Sequence, residues 1–239
     1  MSTAFAAIRS VVAYLVTILY IAIVGPIGLV LGRLGFKRAM FACAHGGVSL
    51  GLALAGIRYR VTGLEHVPDD QAVVFCSNHE SNVDPPVLFD ALMPVLHILY
   101  KAELRQVPLM KTLFDLGGFV PVDRRDREQA MAAIARGAES LRQGNSFLIF
   151  PEGTRSRTGD LLPFKKGGFI MAIDAQVPIV PVAIRGGRDA MRKGSPIVRP
   201  VHVRVQVGRP VPTEGLTSAD RDGLIARVRG EVQRLLDHM

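Results

Sequence analysis

The sequence predicts an α/β fold, a mixed sheet flanked by helices and preceded by an N-terminal apolar two-helix membrane-anchoring hairpin. From residue 58 onward, short runs rich in valine, isoleucine and phenylalanine alternate with stretches of helical periodicity. Before that point the chain contains two long uncharged runs. Polar motifs also follow directly after several predicted strands, which is where α/β proteins place their chemistry. We therefore expect an anchor over residues 1–57 and one α/β domain over residues 58–239.

The first uncharged run extends over residues 10–32 and is long enough to cross the hydrocarbon core, which takes about 20 residues. Gly25 and Pro26 predict a break in its middle. The second run, residues 39–57, is rich in glycine and therefore a poorer spanning segment. Basic residues mark every flank of the two runs, and positive charge collects on the cytoplasmic side. A shallow hairpin inserted in one leaflet is favoured, and one or two true spans or two buried soluble helices are the alternatives.

Strands and helices alternate through the rest of the chain. The predicted strands cover residues 58–62, 72–76, 97–100, 119–122, 147–150, 179–184 and 201–207. The predicted helices cover residues 86–92, 108–116, 127–142, 167–175 and 220–236. The stretch 185–199, rich in glycine, arginine and proline, is predicted to be a loop.

The composition indicates an anionic partner and a reducing compartment. Lysine and arginine number 29 against 21 acidic residues, a net charge of +8, which suits nucleic acid, acidic lipid surfaces or phosphorylated substrates. The two cysteines, Cys43 and Cys76, lie in apolar surroundings and form no disulfide framework. Cys76 is three residues from His79, but within a strand it is expected to pack as a small apolar residue. The histidines and cysteines are scattered, so no metal site is predicted. No cofactor is expected either.

A histidine and an aspartate follow the predicted strand at residues 72–76. His79 and Asp84 are five residues apart, and on a continuous helix they would not face each other. Pro85 and Pro86 also disfavour helix through this segment, so a turn is predicted that brings the carboxylate to the imidazole. Such a pair offers general-base catalysis, with Asp84 orienting His79. The alternative is a turn histidine beside an aspartate that caps a helix beginning at Pro85.

Three further segments identify a resemblance. They are Gly-Gly-Phe-Val-Pro-Val-Asp-Arg at 117–124, Phe-Pro-Glu-Gly-Thr-Arg-Ser at 150–156 and Val-Pro-Ile-Val-Pro-Val-Ala-Ile at 177–184. Together with the His79 segment, they occur in the order and at roughly the spacing of the four motif blocks of the glycerolipid acyltransferases. Within that family the chain resembles the 1-acyl-sn-glycerol-3-phosphate (lysophosphatidic acid) acyltransferases. The resemblance covers about residues 58–210.

The resemblance implies an enzyme that moves a fatty acyl group from a thioester of coenzyme A or acyl carrier protein to the 2-hydroxyl of 1-acylglycerol 3-phosphate, making phosphatidic acid. It implies His79 as general base, Asp84 as its orienting partner, Arg155 on the phosphate, and Glu152 and Gly153 positioning the glycerol. Arg124 of the second block and Lys101 after the third predicted strand are two more phosphate candidates. Arg157, Lys165 and Lys166 are expected to face lipid headgroups or solvent. The fourth block is predicted to be mostly a buried strand.

Other functions stay open at this point. Glycerol 3-phosphate or another lysophospholipid could be the acceptor. A membrane-anchored thioester hydrolase would use water at the same pair, and a lipid-binding scaffold would explain the charge and the hairpin but not His79 and Asp84. The expected partners are lysophosphatidic acid, the acyl thioester and an anionic membrane surface, with acyl carrier protein as a further candidate and no nucleic acid. The expected location is the inner membrane, with the catalytic domain on the cytoplasmic face.

Overall fold

The structure, a computed structural model, describes residues 3–92, 95–106, 110–123, 126–191 and 195–239. Within them, seven strands form one sheet with helices around it, which confirms the predicted α/β fold. The strands are β1 (Ile57–Thr62), β2 (Val74–Ser77), β3 (His97–Lys101), β4 (Val120–Val122), β5 (Phe147–Ile149), β6 (Ile179–Arg185) and β7 (Val201–Val207). The helices are α1 (Thr3–Arg33), α2 (Lys37–Ala55), α3 (Asp84–Leu92), α4 (Met110–Leu116), α5 (Arg127–Arg142), α6 (Gly167–Ala175), α7 (Gly187–Ala190) and α8 (Arg221–Asp237).

The strand order places the polar motifs along one side of the sheet. The order is β1-β7-β6-β2-β5-β3-β4. The five strands from β6 to β4 are parallel to one another, whereas β7 runs antiparallel to β6 and β1 runs parallel to β7. The carboxyl ends of β6, β2, β5, β3 and β4 therefore lie on the same side, which we call the carboxyl edge. Ligand sites of α/β proteins form at such edges.

The central strand β2 is buried on both faces, as its unbroken apolar sequence predicts. Phe75 points into the cluster that contains Leu88 of α3, and Val74 and Cys76 point into the cluster that contains Phe169 of α6. All of these side chains are fully buried. Burial of a large apolar side chain contributes about 1.5–3 kcal/mol, so the two clusters hold the end of β2 in a fixed position.

The N-terminal hairpin is formed by α1 and α2, joined by a turn at residues 34–36. The glycines of α2 let the two helices approach closely, with Gly47 against Tyr20 and Gly51 against Thr17. By length and composition, both helices could cross a membrane. In the most apolar 18-residue stretch of α1, only 11% of the residues are buried within the protein. The predicted break at Pro26 is wrong, because α1 continues through it. A helix in an apolar setting tolerates proline when neighbouring groups satisfy the freed carbonyl.

Most predicted elements are confirmed to within a residue or two, and α5 and α6 agree with the prediction at both ends. Asp126 caps α5 by accepting a hydrogen bond from the backbone N–H of Gln129. The predicted loop at 185–199 is partly wrong, since α7 forms its first turn. The predicted start of α4 at Pro108 lies outside the described residues, and the described helix begins at Met110.

Candidate active site

The turn after β2 is attached to the neighbouring strand β6. The buried amide of Asn78 donates to the carbonyl of Ile184 (2.9 Å) and accepts from the N–H of the same residue (2.8 Å). This pair of bonds joins the first and fourth sequence blocks at the carboxyl edge. The fourth block is otherwise a fully buried strand, as predicted.

His79 and Asp84 are in direct contact. His79 Nδ1 lies 2.8 Å from Asp84 Oδ2, and the side chains are 16% and 0% exposed. The same carboxylate oxygen accepts the backbone N–H groups of Glu80 and Ser81, both at 2.7 Å. The predicted turn is thereby confirmed. The expected helix cap is wrong, because α3 begins at Asp84 itself and the carboxylate is turned back toward the preceding turn.

The pairing leaves one imidazole nitrogen available for chemistry. An ionised carboxylate only accepts hydrogen bonds, so Nδ1 of His79 carries the hydrogen that Asp84 receives. Among the described residues, no group bonds to Nε2 of His79. The ring of Phe150 packs against the imidazole with a centroid distance of 4.3 Å and an interplanar angle of 31°. Asp84 and Phe150 together fix the orientation of the ring, and Nε2 can accept a proton.

The backbone of His79 is held on both sides by the third sequence block. Its N–H donates to Glu152 Oε1 (2.8 Å), and its carbonyl accepts from the N–H of Ser156 (2.8 Å). The second oxygen of Glu152 accepts from the N–H of Leu162 at 3.1 Å. Burial raises the pKa of Glu152, and the bond from His79 opposes that shift. Glu152 is 3% exposed and uses both oxygens on backbone groups.

The predicted phosphate residues differ in their surroundings. Arg155 is half-buried, and its Nη1 is enclosed without a partner among the described residues. Gly153 adopts the left-handed φ of +69° in the same turn. Lys101 is exposed at the end of β3 and pairs with Glu103 at 3.1 Å. Since β2, β5 and β3 are neighbours, His79, Arg155 and Lys101 follow one another along the carboxyl edge. Arg124 lies outside the described residues.

Two contacts of the site were not predicted from the sequence. Gly187 of α7 lies against Asp84, and a Cβ at this position would collide with Asp84 Oδ1. Lys165 extends across Gly153, although it was expected to face headgroups or solvent. No sequence signal identifies Gly187, because it contacts Asp84 only through the fold. Lys165 does follow the third block closely, and that proximity was the available signal.

An apolar cavity of about 500 Å³ opens beside the turn. Its lining includes Asn82 and Val83 of the turn, Tyr14 and Tyr20 of α1, and Phe41 of α2. This volume is within the range of about 300–1,000 Å³ that is usual for ligand pockets. The cavity lies between the hairpin and the α/β domain, so an apolar chain within it would reach toward the His79 turn.

Cys76 does not form a nucleophilic pair with His79. It is fully buried among the apolar side chains of the sheet, and burial raises the pKa of its thiol. Within the described part of the chain, no three histidine, cysteine, aspartate or glutamate side chains are grouped to hold a metal ion. That the protein uses neither a metal nor a cofactor stays a prediction.

Comparisons with known proteins agree with the geometry. The acyltransferase family model matches residues 58–185. The human 1-acyl-sn-glycerol-3-phosphate acyltransferase alpha is 37% identical over 177 residues, covering 74% of this chain and 62% of the human protein. This chain thus spans less than two thirds of that relative. The 1-acyl-sn-glycerol-3-phosphate acyltransferase of Borreliella burgdorferi is 29% identical over 200 residues, covering 84% and 80%.

A solved structure is similar along the whole chain. It is the crystal structure of the 1-acyl-sn-glycerophosphate (LPA) acyltransferase PlsC from Thermotoga maritima. The TM-score is 0.86 at 26% identity, and the match covers 100% of this chain and 97% of that one. Because the coverage is complete, the likeness includes the hairpin as well as the α/β domain.

Proposed function

The chain belongs to the acyltransferase family, and from that premise we propose that it transfers a fatty acyl group from an acyl thioester to the 2-hydroxyl of 1-acylglycerol 3-phosphate. The product is phosphatidic acid. The observation that carries this proposal is the contact between His79 and Asp84, which leaves Nε2 open at the carboxyl edge. An unpaired arginine and an apolar cavity lie beside the pair, and a phosphorylated lipid needs both kinds of contact.

The pair acts as a general base. Nε2 of His79 removes the proton of the acceptor hydroxyl while Asp84 stabilises the imidazolium that forms. The oxygen attacks the thioester carbonyl carbon, the new C–O bond forms, and the C–S bond breaks. The leaving thiolate then takes the proton from the imidazolium, which returns His79 to its neutral form. No covalent acyl-enzyme is formed.

Glu152 acts as a positioning residue in this proposal. Its two oxygens are occupied by the backbone of His79 and Leu162, which supports holding the imidazole in place over contacting the glycerol. Gly153 allows close approach of the acceptor, and Arg155 binds its phosphate through a planar guanidinium. Lys101, at the end of β3, is a further candidate for the same phosphate, and Arg124 stays a candidate through its place in the second block.

The hairpin keeps the site at the bilayer, where acceptor and product reside. Exposed apolar side chains cover most of α1, which suits contact with lipid. The acyl chain of one substrate occupies the cavity between the hairpin and the α/β domain. We place the protein in the inner membrane with the α/β domain on the cytoplasmic, anionic surface, supplied by acyl-coenzyme A or acyl carrier protein.

Thiol release from oleoyl-coenzyme A tests the function. It is measured with and without 1-oleoyl lysophosphatidic acid, for the native protein and His79→Ala, in detergent and in nanodiscs. We expect release that depends on the acceptor and falls at least about a hundredfold in the variant, since a general base contributes about 10²–10⁴. The same assay with glycerol 3-phosphate and other lysophospholipids identifies the acceptor.

Two results would replace the proposal. Thiol release of equal rate without any acceptor would indicate a thioester hydrolase. No release with coenzyme A or carrier-protein donors and any acceptor, from a folded protein that binds vesicles, would indicate a lipid-binding protein. Full activity in His79→Ala would remove the general-base role and leave the reaction to another group.

A further inference from the structure

Lys165 packs against the turn that carries Arg155, although it is ten residues away in sequence. Its backbone N–H donates to the carbonyl of Pro151 at 2.8 Å, and this bond holds the segment before α6 against the turn. A Cβ built on Gly153 would meet Lys165 Nζ at 2.7 Å and Cε at 2.8 Å. The lysine side chain therefore extends across the α-carbon of Gly153, with its ammonium group beside the turn.

This ammonium group has no anionic partner within the described part of the protein, and neither has the guanidinium of Arg155. The α-carbons of Gly153 and Arg155 can be no more than about 7 Å apart, because two residues span at most that distance. Two cationic side chains on one turn repel each other, and an anion bound between them would relieve that repulsion. The adjacent Lys166 differs, since its Nζ lies 3.8 Å from the carboxylate of Asp222 on α8.

We propose that Lys165 is a second ligand of the acceptor's phosphate, acting with Arg155 across Gly153. The inference rests on the proposed function for the identity of the acceptor, and it deepens that function by defining the phosphate site. A phosphomonoester offers three oxygens, enough for a bidentate arginine and a lysine at once. The arrangement also explains why residue 153 is glycine. A side chain there would occupy the space of the Lys165 stem, and φ of +69° is strained for other residues.

Direct binding tests this assignment without relying on turnover. The probe is 1-oleoyl lysophosphatidic acid in neutral detergent micelles, titrated into His79→Ala by calorimetry, with 1-monooleoylglycerol as the ligand that lacks phosphate. Lys165→Gln is expected to weaken lysophosphatidic acid binding about tenfold or more, which corresponds to one lost charge-assisted hydrogen bond. Lys165→Arg should recover part of the loss. Lys166→Gln, the matched control, should bind within about twofold of the parent.

A phosphate could also come from a lipid headgroup of the bilayer. Co-sedimentation with phosphatidylcholine vesicles, with and without phosphatidylglycerol, separates the two sources. Under our assignment Lys165→Gln and Lys166→Gln lower vesicle binding by similar small amounts, while only the former weakens lysophosphatidic acid binding in micelles. Unchanged lysophosphatidic acid binding in Lys165→Gln, or an equal loss for monooleoylglycerol, would overturn the proposal.

Failure of this inference is distinguishable from failure of the proposed function. If the native protein transfers acyl groups to lysophosphatidic acid while Lys165→Gln keeps its affinity, only the assignment of Lys165 is wrong. If no acyl transfer occurs but binding still depends on Lys165, the phosphate site stands and the reaction does not. If neither the native protein nor His79→Ala binds lysophosphatidic acid, both are overturned.

Discussion

Two histidine–aspartate pairs of nearly equal geometry lie in different regions of the described part of the chain. His79 and Asp84 meet at 2.8 Å on the carboxyl edge, and His45 of α2 meets Asp90 of α3 at 3.0 Å where the hairpin packs on the α/β domain. Both contacts are made through Nδ1 of the histidine. The distance within a pair therefore does not identify a catalytic site.

The surroundings of the second nitrogen differ between the pairs. Nε2 of His45 is enclosed without a partner among the described residues, and its ring packs against Phe89 at 5.1 Å. Asp90 also accepts hydrogen bonds from Ser49 and Tyr59. Burial, assisted by Asp90, raises the pKa of Tyr59 to about 12, so the phenol keeps its proton. This second network connects α2, α3 and β1, whereas Nε2 of His79 has no hydrogen-bond partner among the described residues.

Matched substitutions of the two aspartates test this contrast most strongly. Asp84→Asn is expected to lower the rate of acyl transfer at least about a hundredfold, because the imidazolium loses its stabilising charge. Asp90→Asn should keep the rate within a few-fold. Its free energy of unfolding should fall by about 1–3 kcal/mol, since an amide cannot accept from both hydroxyl donors and His45. Initial rates and thermal midpoints are measured for both purified variants. Equal rate losses would show that Asp84 is no more important for the reaction than Asp90.

The backbone of His79 is held by two hydrogen bonds, from its N–H to Glu152 and from the N–H of Ser156 to its carbonyl. No such pair of bonds from a distant segment holds His45 within the described residues. The substitution Glu152→Gln weakens the first of these bonds. The amide can accept from His79 or from Leu162, but its nitrogen must face the other N–H group. Loss of one charge-assisted bond corresponds to about a tenfold fall in kcat, with the KM for the thioester little changed. Glu214→Gln is the control, because Glu214 is exposed and remote in sequence from every block. If Glu152→Gln instead raises the KM for the acceptor and leaves kcat unchanged, direct contact of Glu152 with the glycerol would be favoured.

Gly187→Ala sharpens the comparison from the side of α7. Its Cβ would displace Asp84 Oδ1 and crowd Ser81 and Val83 at 3.2 and 3.3 Å, so the carboxylate must shift away from His79. We expect a several-fold loss of rate and a modest loss of stability, as overpacking costs about 1–3 kcal/mol. Gly230→Ala on α8 meets no atom within 4 Å and should stabilise the helix by up to about 1 kcal/mol without changing the rate. Full activity in Gly187→Ala would show that Asp84 tolerates displacement.

The smallest predicted effect concerns Glu80, between the paired residues. Its carboxylate accepts from Gly186, and burial, then Asp84, raises its pKa above the ordinary 4.5. The folded state thus binds this proton more tightly than the unfolded state, so the contribution is largest at low pH and is lost as pH rises through the raised folded pKa. The melting temperature of the native protein, relative to Glu80→Gln, should decline as pH rises from about 4.5, by a few degrees at most. A difference that grows with pH would contradict the shift.

Much of the fold could be predicted because its signals are local. Apolar runs predicted the strands, 3.6-residue periodicity predicted α5 and α8, and two long uncharged runs predicted the hairpin helices. His79 and Asp84 were also predicted as a pair, since five residues with prolines after them require a turn. The break at Pro26 was predicted wrongly. The low helix propensity of proline does not account for neighbouring groups that satisfy the freed carbonyl when the helix lies in an apolar setting.

Most of the elements, the His79 turn and the order of the four blocks follow from the sequence alone. Which distant residues meet at the site depends on the tertiary structure. His45 and Asp90 are 45 residues apart, Glu152 and His79 are 73 apart, and Gly187 reaches Asp84 through α7. These contacts depend on the strand order, which joins β2 to β5 and β6 by pairing energy summed over whole strands. No spacing along the chain encodes that order, so the contacts of Glu152 with His79 and of Gly187 with Asp84 were visible only once the sheet was assembled.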